Sequence, residues 1–270
     1  MENPFDVELF RSGLNTVWLG HEFIHKDEAE STNTLLKKGS ADELVHGTVL
    51  HTDHQTGGRG QYNRAWYSGA RRNLTFTIAF KPEKSDRLPL LTLACAYGIS
   101  RVLEGYSGES VLLKWPNDLM ANGKKLGGIL TECIFLGNKP DRVLVGAGIN
   151  VLKDGYPGMN GDTVTFLEEL CDGLASISRE RILAESLNTV ETVYEQWVRN
   201  DPQLYRTVSK RLIGYGKWVE VSLNGIKKEG RFKFLGVNEE GEPIALNEEL
   251  DVNTFKHGQF RILGGYKGIS

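Results

Sequence analysis

The sequence has little of what would place it outside the ordinary globular class. Its three cysteines, Cys95, Cys133 and Cys171, are odd in number, widely spaced and without a C-x-x-C pair. That excludes a disulfide framework or thiolate zinc site and fits core thiols in a reducing compartment. No apolar run is long enough to span a bilayer; the longest, residues 88–99, is short and mixed. The opening M-E-N-P-F-D-V-E-L-F is acidic and broken by proline, with neither the basic start nor the apolar core of an export signal. A cytoplasmic protein without a membrane partner is therefore expected. Neither sign of charge dominates, with 32 Lys and Arg against 35 Asp and Glu and a net charge of -3. Such a balance provides no global field for nucleic acid, so any anion site must be local. Internal repeats, low-complexity segments and the two common phosphate fingerprints, G-x-x-x-x-G-K-S/T and G-x-G-x-x-G, are absent as well.

What is present is enough chain, 270 residues at 40% hydrophobic and 25% charged, to bury a full core in one large domain and a small one. Residues 47–52, 73–80, 110–115, 126–135 and 142–151 read as strands of a main sheet. Residues 88–106 and 179–197 read as helices. In the second, Ile182, Leu183, Leu187, Val190, Val193, Tyr194 and Trp197 keep an apolar stripe behind a candidate N-cap, Ser178. Near residue 212 the pattern turns to alternation, G-K-W-V-E-V-S-L-N-G-I-K, with a hairpin signal at Asn224-Gly225. A second hairpin signal spans residues 238–243, and the tail ends in strand-like F-R-I-L.

Three segments carry chemistry. G-G-R-G-Q-Y-N-R-A-W at residues 57–66 puts three glycines within four positions. There the backbone can approach an anion closely, and Arg59 and Arg64 add forked donors; a basic surface turn has the same composition. In S-V-L-L-K-W-P-N-D the proline marks a strand's edge, leaving Lys114 and Asp118 at a strand terminus and its loop. There they either act on a ligand or merely snorkel and cap a turn. In K-K-L-G-G-I-L, Lys125 precedes a glycine pair inside an apolar run, where a ligand or a second backbone must lie close. The remaining candidate, H-T-D-H at residues 51–54, does not converge on a metal. In a strand His51 and Asp53 share one face and His54 the other, so a solvated or locally hydrogen-bonded role is expected.

Taken in order, W-L-G-H (18–21), D-E-A-E-S-T-N-T (27–34), Q-T-G-G-R-G (55–60), K-W-P-N-D (114–118), K-K-L-G-G-I-L (124–130) and V-G-A-G-I-N-V (145–151) resemble the biotin protein ligase family. The resemblance implies an α+β fold: a mixed-sheet catalytic domain of the biotin/lipoate ligase type at residues 1–212, then a small SH3-like β-barrel at 213–270. Because it begins by Trp18, the DNA-binding domain and repressor role of some members are not expected. It implies ATP with magnesium, biotin as substrate, and as protein partner a biotin carboxyl carrier protein of acetyl-CoA carboxylase or a similar carboxylase. A homodimer is left open.

Carried over by motif, Ser31, Thr32, Asn33 and Gln55 would hold the ureido head of biotin. Trp66 and Ile129 would supply apolar surface to its ring and chain. The loop Gly57, Gly58, Arg59, Gly60 and Gln61 would close over the carboxylate and α-phosphate. Lys125 would contact the activated carboxyl, and Gly128, Gly148 and Asn150 would form a wall. Arg59, Lys114 and Lys125 would offset the charge of two reacting anions, and Asp118 would orient or deprotonate the acceptor lysine. Many members have arginine where this sequence has Gln61, so Arg64 or the Arg71–Arg72 pair is expected to compensate. No aromatic residue precedes T-V-T-F-L (163–167), so apolar side chains are expected around adenine. A lipoate or octanoate transferase on the same fold, or a biotin-binding regulator without activity, are the competing readings.

Overall fold

A computed structural model describes residues 4–39, 44–83, 85–153, 163–171, 178–256 and 258–263. Seven strands form the main sheet: β1 (Phe23–Ala29), β2 (Thr48–Gln55), β3 (Asn73–Phe80), β4 (Val111–Lys114), β5 (Asp118–Ala121), β6 (Lys124–Leu136) and β7 (Lys139–Asn150). Their order is β1-β2-β3-β7-β6-β5-β4, with β1 parallel to β2 and every other pair antiparallel. The central strands β3 and β7 are buried on both faces, β7 as an apolar run from Val143 to Ile149 and β3 with threonines between its large apolar residues. Val49, Ile78 and Val145 enter the large core beneath α3 (Leu88–Ser107) and α4 (Arg179–Val198). Their neighbours Leu50, Ala79 and Leu144 face the other way, onto Leu36 of α2 (Thr32–Lys38).

The helix expectations hold to a residue or two. All seven stripe positions of α4 are buried, and Ser178 Oγ accepts from the Arg181 N–H at 3.2 Å. β1, the short helices α1 (Val7–Gly13) and α5 (Pro202–Arg211), and strand β5, which pairs with β4 in a hairpin where a loop was expected after residue 115, are additions to the reading. β1, F-I-H-K-D-E-A, carries four polar residues in seven and so lacks an apolar run. The W-L-G-H segment is structural: the buried Glu191 carboxylate accepts the Val17, Trp18 and Leu19 N–H groups at 2.8, 2.9 and 2.9 Å. No helix among the described residues is long and apolar enough to cross a membrane.

H-T-D-H needs a correction. His51 is fully buried rather than solvated: Phe5 packs on its ring at 4.1 Å, and its Nδ1 lies 3.1 Å from His25 Nδ1. Burial, with Arg179 and His25 beside it, holds His51 well below the ordinary histidine range. Asp53 accepts from Arg179 at 2.7 Å and anchors the start of α4, while His54 faces Glu28 at 3.1 Å. Of the thiols, all free, only Cys95 is fully buried; Cys133 and Cys171 are half-buried.

The C-terminal region contributes β8 (Trp218–Val219), β9 (Val221–Leu223), β10 (Ile226–Lys227), β11 (Phe232–Val237), β12 (Pro243–Leu246), β13 (Val252–Thr254) and β14 (Phe260–Ile262). Hydrogen bonds join them as two antiparallel sheets, β10-β9-β14 and β13-β12-β11-β8, over stacked Phe234 and Phe260. Asn224 and Gly225 take φ of 51° and 81°, the left-handed pair that a two-residue hairpin demands. The region is fastened to β4, the turn after it and the start of α3 by the Ile213 N–H donating to Leu113 O (2.8 Å), Trp115 Nε1 to Gly241 O (3.3 Å) and the Leu90 N–H to Glu240 O (3.2 Å). These bonds bring β14 to the edge of the site.

Candidate active site

A cavity of about 430 Å³ opens over β5, β6 and β7, between the start of α2 and β14. The residues that line one end, Ser31, Thr32, Asn33 and Gln55, are polar and uncharged. Ser31 caps α2, its Oγ facing the Thr34 N–H at 3.5 Å, so Thr32 and Asn33 occupy the first turn. Gln55 Oε1 accepts from the Thr32 N–H at 2.9 Å and from Thr32 Oγ1 at 3.2 Å. Thr77 Oγ1 lies 2.7 Å from Thr32 Oγ1 and donates to Asn33 Oδ1 at 2.6 Å, and Asn33 Nδ2 donates to Glu132 at 2.8 Å. Thr77 and Glu132 were not read from the sequence. The signal for Thr77 was a threonine at alternate positions of a fully buried strand, N-L-T-F-T-I-A-F. Glu132 had none.

Glycines in the sheet make room for this arrangement. A Cβ on Gly146 would stand 2.2 Å from Asn33 Oδ1, and one on Gly148 would stand 2.4 to 2.7 Å from the Trp66 indole. A Cβ on Gly128 would meet Lys125 Nζ at 3.3 Å and Asp118 Oδ1 at 3.5 Å. Gly148 thus seats Trp66, and Gly128 leaves space for the charged pair.

That pair is the centre of the site. Lys125 Nζ donates to Asp118 Oδ1 at 2.6 Å and stands 5.6 Å from the centre of the Trp66 ring. Asp118 opens β5 directly opposite Lys114, so it sits on a strand rather than in a loop. The W-P-N turn between them is pinned to β6: the Ile129 N–H donates to Asn117 O at 2.9 Å and Asn117 Nδ2 to Ile129 O at 2.7 Å. Around the mouth, Arg59, Arg64, Lys114, Lys125 and Arg261 line the cavity against one carboxylate, Asp118, so the site favours an anion. Arg59 turns toward α2, Nη2 donating to Thr34 Oγ1 at 3.2 Å and lying 3.7 Å from Glu132.

Gly60, Gln61, Trp66 and Ile129 also line the cavity; Gly57, Gly58 and Asn150 do not. The two glycines shape the loop: the Gly57 N–H donates to Glu30 O at 2.7 Å, and a Cβ on Gly58 would lie 2.4 Å from Trp66 O. Asn150 lies beneath, donating to Lys125 O at 3.3 Å and Thr165 O at 3.2 Å, where it fixes the backbone that carries Lys125. Arg71 and Arg72 are outside the cavity. Arg71 is bound at Asp53, its N–H donating to Asp53 O at 2.8 Å, so of the expected substitutes for a charge at Gln61 only Arg64 is in place. Residues 163–165 run beside Lys125, forming a parallel bridge through Val164. Among the described residues one group could chelate a metal, His25, Asp27 and Asp53, on β1 and β2. Arg179 already neutralises Asp53 there.

Residues 27–150 match the biotin/lipoate A/B protein ligase family. Over 202 residues the chain is 32% identical to the biotin–acetyl-CoA-carboxylase ligase of Mycobacterium tuberculosis, a match covering 72% of this chain and 72% of that protein. Over 236 residues it is 28% identical to the bifunctional ligase/repressor BirA of Bacillus subtilis, covering 86% of this chain and 71% of that one. Its fold is similar to that of the biotin protein ligase from Aquifex aeolicus solved in complex with biotin and ATP. The TM-score is 0.75 at 27% identity, over 90% of this chain and 99% of that one. With 32% identity over nearly three quarters of both chains and a shared fold along most of its length, the chain belongs to the biotin/lipoate A/B protein ligase family.

Proposed function

We propose that the protein is an ATP-dependent biotin protein ligase, which joins biotin to AMP and then transfers the biotinyl group to a lysine of a carrier protein. The observation that carries this reading is a single cavity with an uncharged polar end at Thr32, Asn33 and Gln55, apolar walls at Trp66 and Ile129, and the Lys125–Asp118 pair. Biotin has that sequence of parts: a polar ureido head, an apolar ring and chain, and a carboxylate.

In the first step a carboxylate oxygen attacks the α-phosphorus of ATP, an O–P bond forms, and pyrophosphate leaves. Two anions meet, so cations fixed beforehand where charge accumulates lower the barrier. We assign that role to Lys125 and Lys114, which line the cavity at the Asp118 pair, and to Arg59 once it leaves Thr34 and Glu132. Magnesium fits as part of the MgATP substrate: the single lining carboxylate is engaged by Lys125, and such an ion is commonly held through the phosphates with most of its waters. In the second step a neutral acceptor amine attacks the acyl carbon, the new C–N bond displaces AMP, and the amine proton is lost. Once Lys125 turns to the phosphate, Asp118 is released to orient that amine. The Gly-rich loop closes over the adenylate, a mixed anhydride that water would destroy.

The acceptor we assign is a biotin carboxyl carrier protein of acetyl-CoA carboxylase or a related carboxylase. Incubating such a carrier domain with the protein, biotin, ATP and magnesium should add one biotinyl group to one lysine, read by mass spectrometry. An unmodified carrier refutes the assignment. Lipoate would present an apolar dithiolane to the polar end at Thr32, Asn33 and Gln55 and would displace water there without supplying a hydrogen bond in return. Biotin is therefore expected to outcompete lipoate in a binding titration, and biotin-dependent pyrophosphate release separates an enzyme from a binding regulator. Three free thiols support a reducing, cytoplasmic setting.

A further expectation follows from Gly148. Alanine there puts a methyl group within 2.7 Å of the Trp66 indole, so Trp66 must leave its seat. Biotin affinity in Gly148→Ala should fall by about 10- to 100-fold, the equivalent of 1.4 to 2.8 kcal/mol. Calorimetric titration measures it, and an unchanged affinity would remove Trp66 from the site.

A further inference from the structure

The Asn33 side chain lies over Gly146, in the sheet row that also holds Thr77 of β3 and Leu130 of β6. Its amide is turned one way by what stands on either side. Toward β6 the neighbours are the Glu132 carboxylate, 2.8 Å from Nδ2, and the Leu130 carbonyl, 3.4 Å from it. Both can only accept, so the amide nitrogen must face them and the oxygen must face β3. There Thr77 Oγ1 stands 2.6 Å from Asn33 Oδ1 and 2.7 Å from Thr32 Oγ1. A hydroxyl has one proton and an amide oxygen has none, so the Thr77 proton goes to Asn33. The Thr32 proton then goes to Thr77, or to Gln55 Oε1 at 3.2 Å. With either partner it is spent, and Thr32, which lines the cavity beside Asn33, offers a ligand lone pairs only. Thr77 is fully buried, and neither it nor Glu132 lines the cavity.

We propose that Glu132 is a positioning residue that selects the substrate from behind the cavity: its charge sets the direction of the chain Thr32–Thr77–Asn33–Glu132, and with it the kind of head group the site takes. Hydrogen bonds in such a chain point one way and polarise one another. With an acceptor-only carboxylate at the far end, every proton is directed toward Glu132 and the near end is left to accept. A head group that donates, as the N–H of a cyclic urea does, pairs with that end. An ester oxygen in the same place meets a second set of lone pairs. The proposal rests on the biotin ligase reading above.

The probes are biotin and its two cyclic-carbamate analogues, each with oxygen in place of one ring N–H, and the readout is the ratio of their affinities by calorimetric titration. In the parent, one analogue should bind about 10- to 100-fold more weakly than biotin, the effect of leaving a buried acceptor unpaired. Glu132→Gln keeps the shape and brings an amide donor, so Asn33 can turn over and the whole chain reverse. Thr32 then gives its proton to the cavity, and the ratio should close by about tenfold. Arg59 and Lys37 also stand 3.7 and 3.8 Å from Glu132, but their release acts on biotin and analogue alike and cancels in the ratio. Glu132→Ala, which frees Asn33 without supplying a donor, should close the ratio too and decides the matter should Glu132→Gln not fold. Thr77→Val breaks the chain and should act likewise, whereas Thr77→Ser should restore the parent's ratio. An unchanged ratio in the Glu132 variants overturns the proposal, even if overall affinity falls, since that would mark a packing role only. A ratio that closes in Thr77→Val alone overturns it as well, making Thr77 the source of the direction. If the unaltered protein binds no biotin, the ligase reading itself falls; if it binds biotin and both analogues equally, that reading stands and this proposal ends.

Discussion

Replacing Lys125 with alanine should slow formation of the biotinyl adenylate by about 10²- to 10³-fold, the usual effect of removing one preorganised donor from a developing charge. The loss has two parts. The cation facing the two reacting anions disappears, and Asp118, held by Lys125 Nζ at 2.6 Å, becomes an uncompensated carboxylate in the same space. The fold should be unaffected, because the Lys125 side chain is half-buried at the cavity and opens no core space when shortened. Single-turnover formation of the adenylate, alongside a melting curve, measures both. Parent-like turnover would remove Lys125 from the chemistry. A double variant, Lys125→Ala with Asp118→Asn, should be less impaired than the two single losses multiplied together, since the repulsive carboxylate is gone.

Asp118→Asn should separate the two half-reactions. It keeps the shape of the side chain and loses the charge, so transfer from preformed adenylate should fall by about 10²-fold, within the range for a positioned acid–base group. Adenylation should fall by about tenfold, because Lys125 keeps its own charge but loses the partner that aims it. The pH dependence has a definite sign. A lysine with an ordinary pKa of about 10.4 is almost wholly protonated near neutrality, so transfer by the parent should rise with pH as the neutral amine becomes more abundant. Measuring each half-reaction separately across this range checks the assignment. Equal losses in both steps would mean that Asp118 only positions Lys125, and an unaltered transfer rate would eliminate its role toward the acceptor.

The elements legible in the sequence are those whose own residues carry the signal. Helix α4 has an unbroken apolar stripe and a serine cap, β3 alternates large apolar residues with asparagine, threonine and alanine, and β7 carries an apolar run from Val143 to Ile149, so local pattern and tertiary environment agree. Edge strand β1, with His, Lys, Asp and Glu in sequence, shows no periodicity because its burial comes from neighbours: Phe5 over His25, and β2 along one side. The tight β4–β5 hairpin was hidden for a different reason. Its turn contains proline, which on its own signals a strand's end as readily as a reversal.

The site divides the same way. The sequence alone determined which residue types stand near one another along the chain: a Gly-rich basic loop, a lysine and an aspartate four residues apart around W-P-N, and a lysine before two glycines. Those patterns offered backbone freedom and cations to an anion but suited a surface turn or a snorkelling lysine equally well; carboxylate activation came from the resemblance of the six motifs, in their order, to the biotin protein ligase family. Only the tertiary structure decided who faces whom. Thr77 and Glu132 complete the polar end from strands distant in sequence, Gly146 and Gly148 are empty because Asn33 and Trp66 fill their places, and Arg261 comes from the C-terminal sheets. Asn150, read as wall, supports Lys125 from behind, and Arg71 belongs to the Asp53 cluster. The physical reason is that a side chain's charge and shape are written in its own position, whereas its partner is set by sheet register. A shift of one residue there sends every side chain to the opposite face.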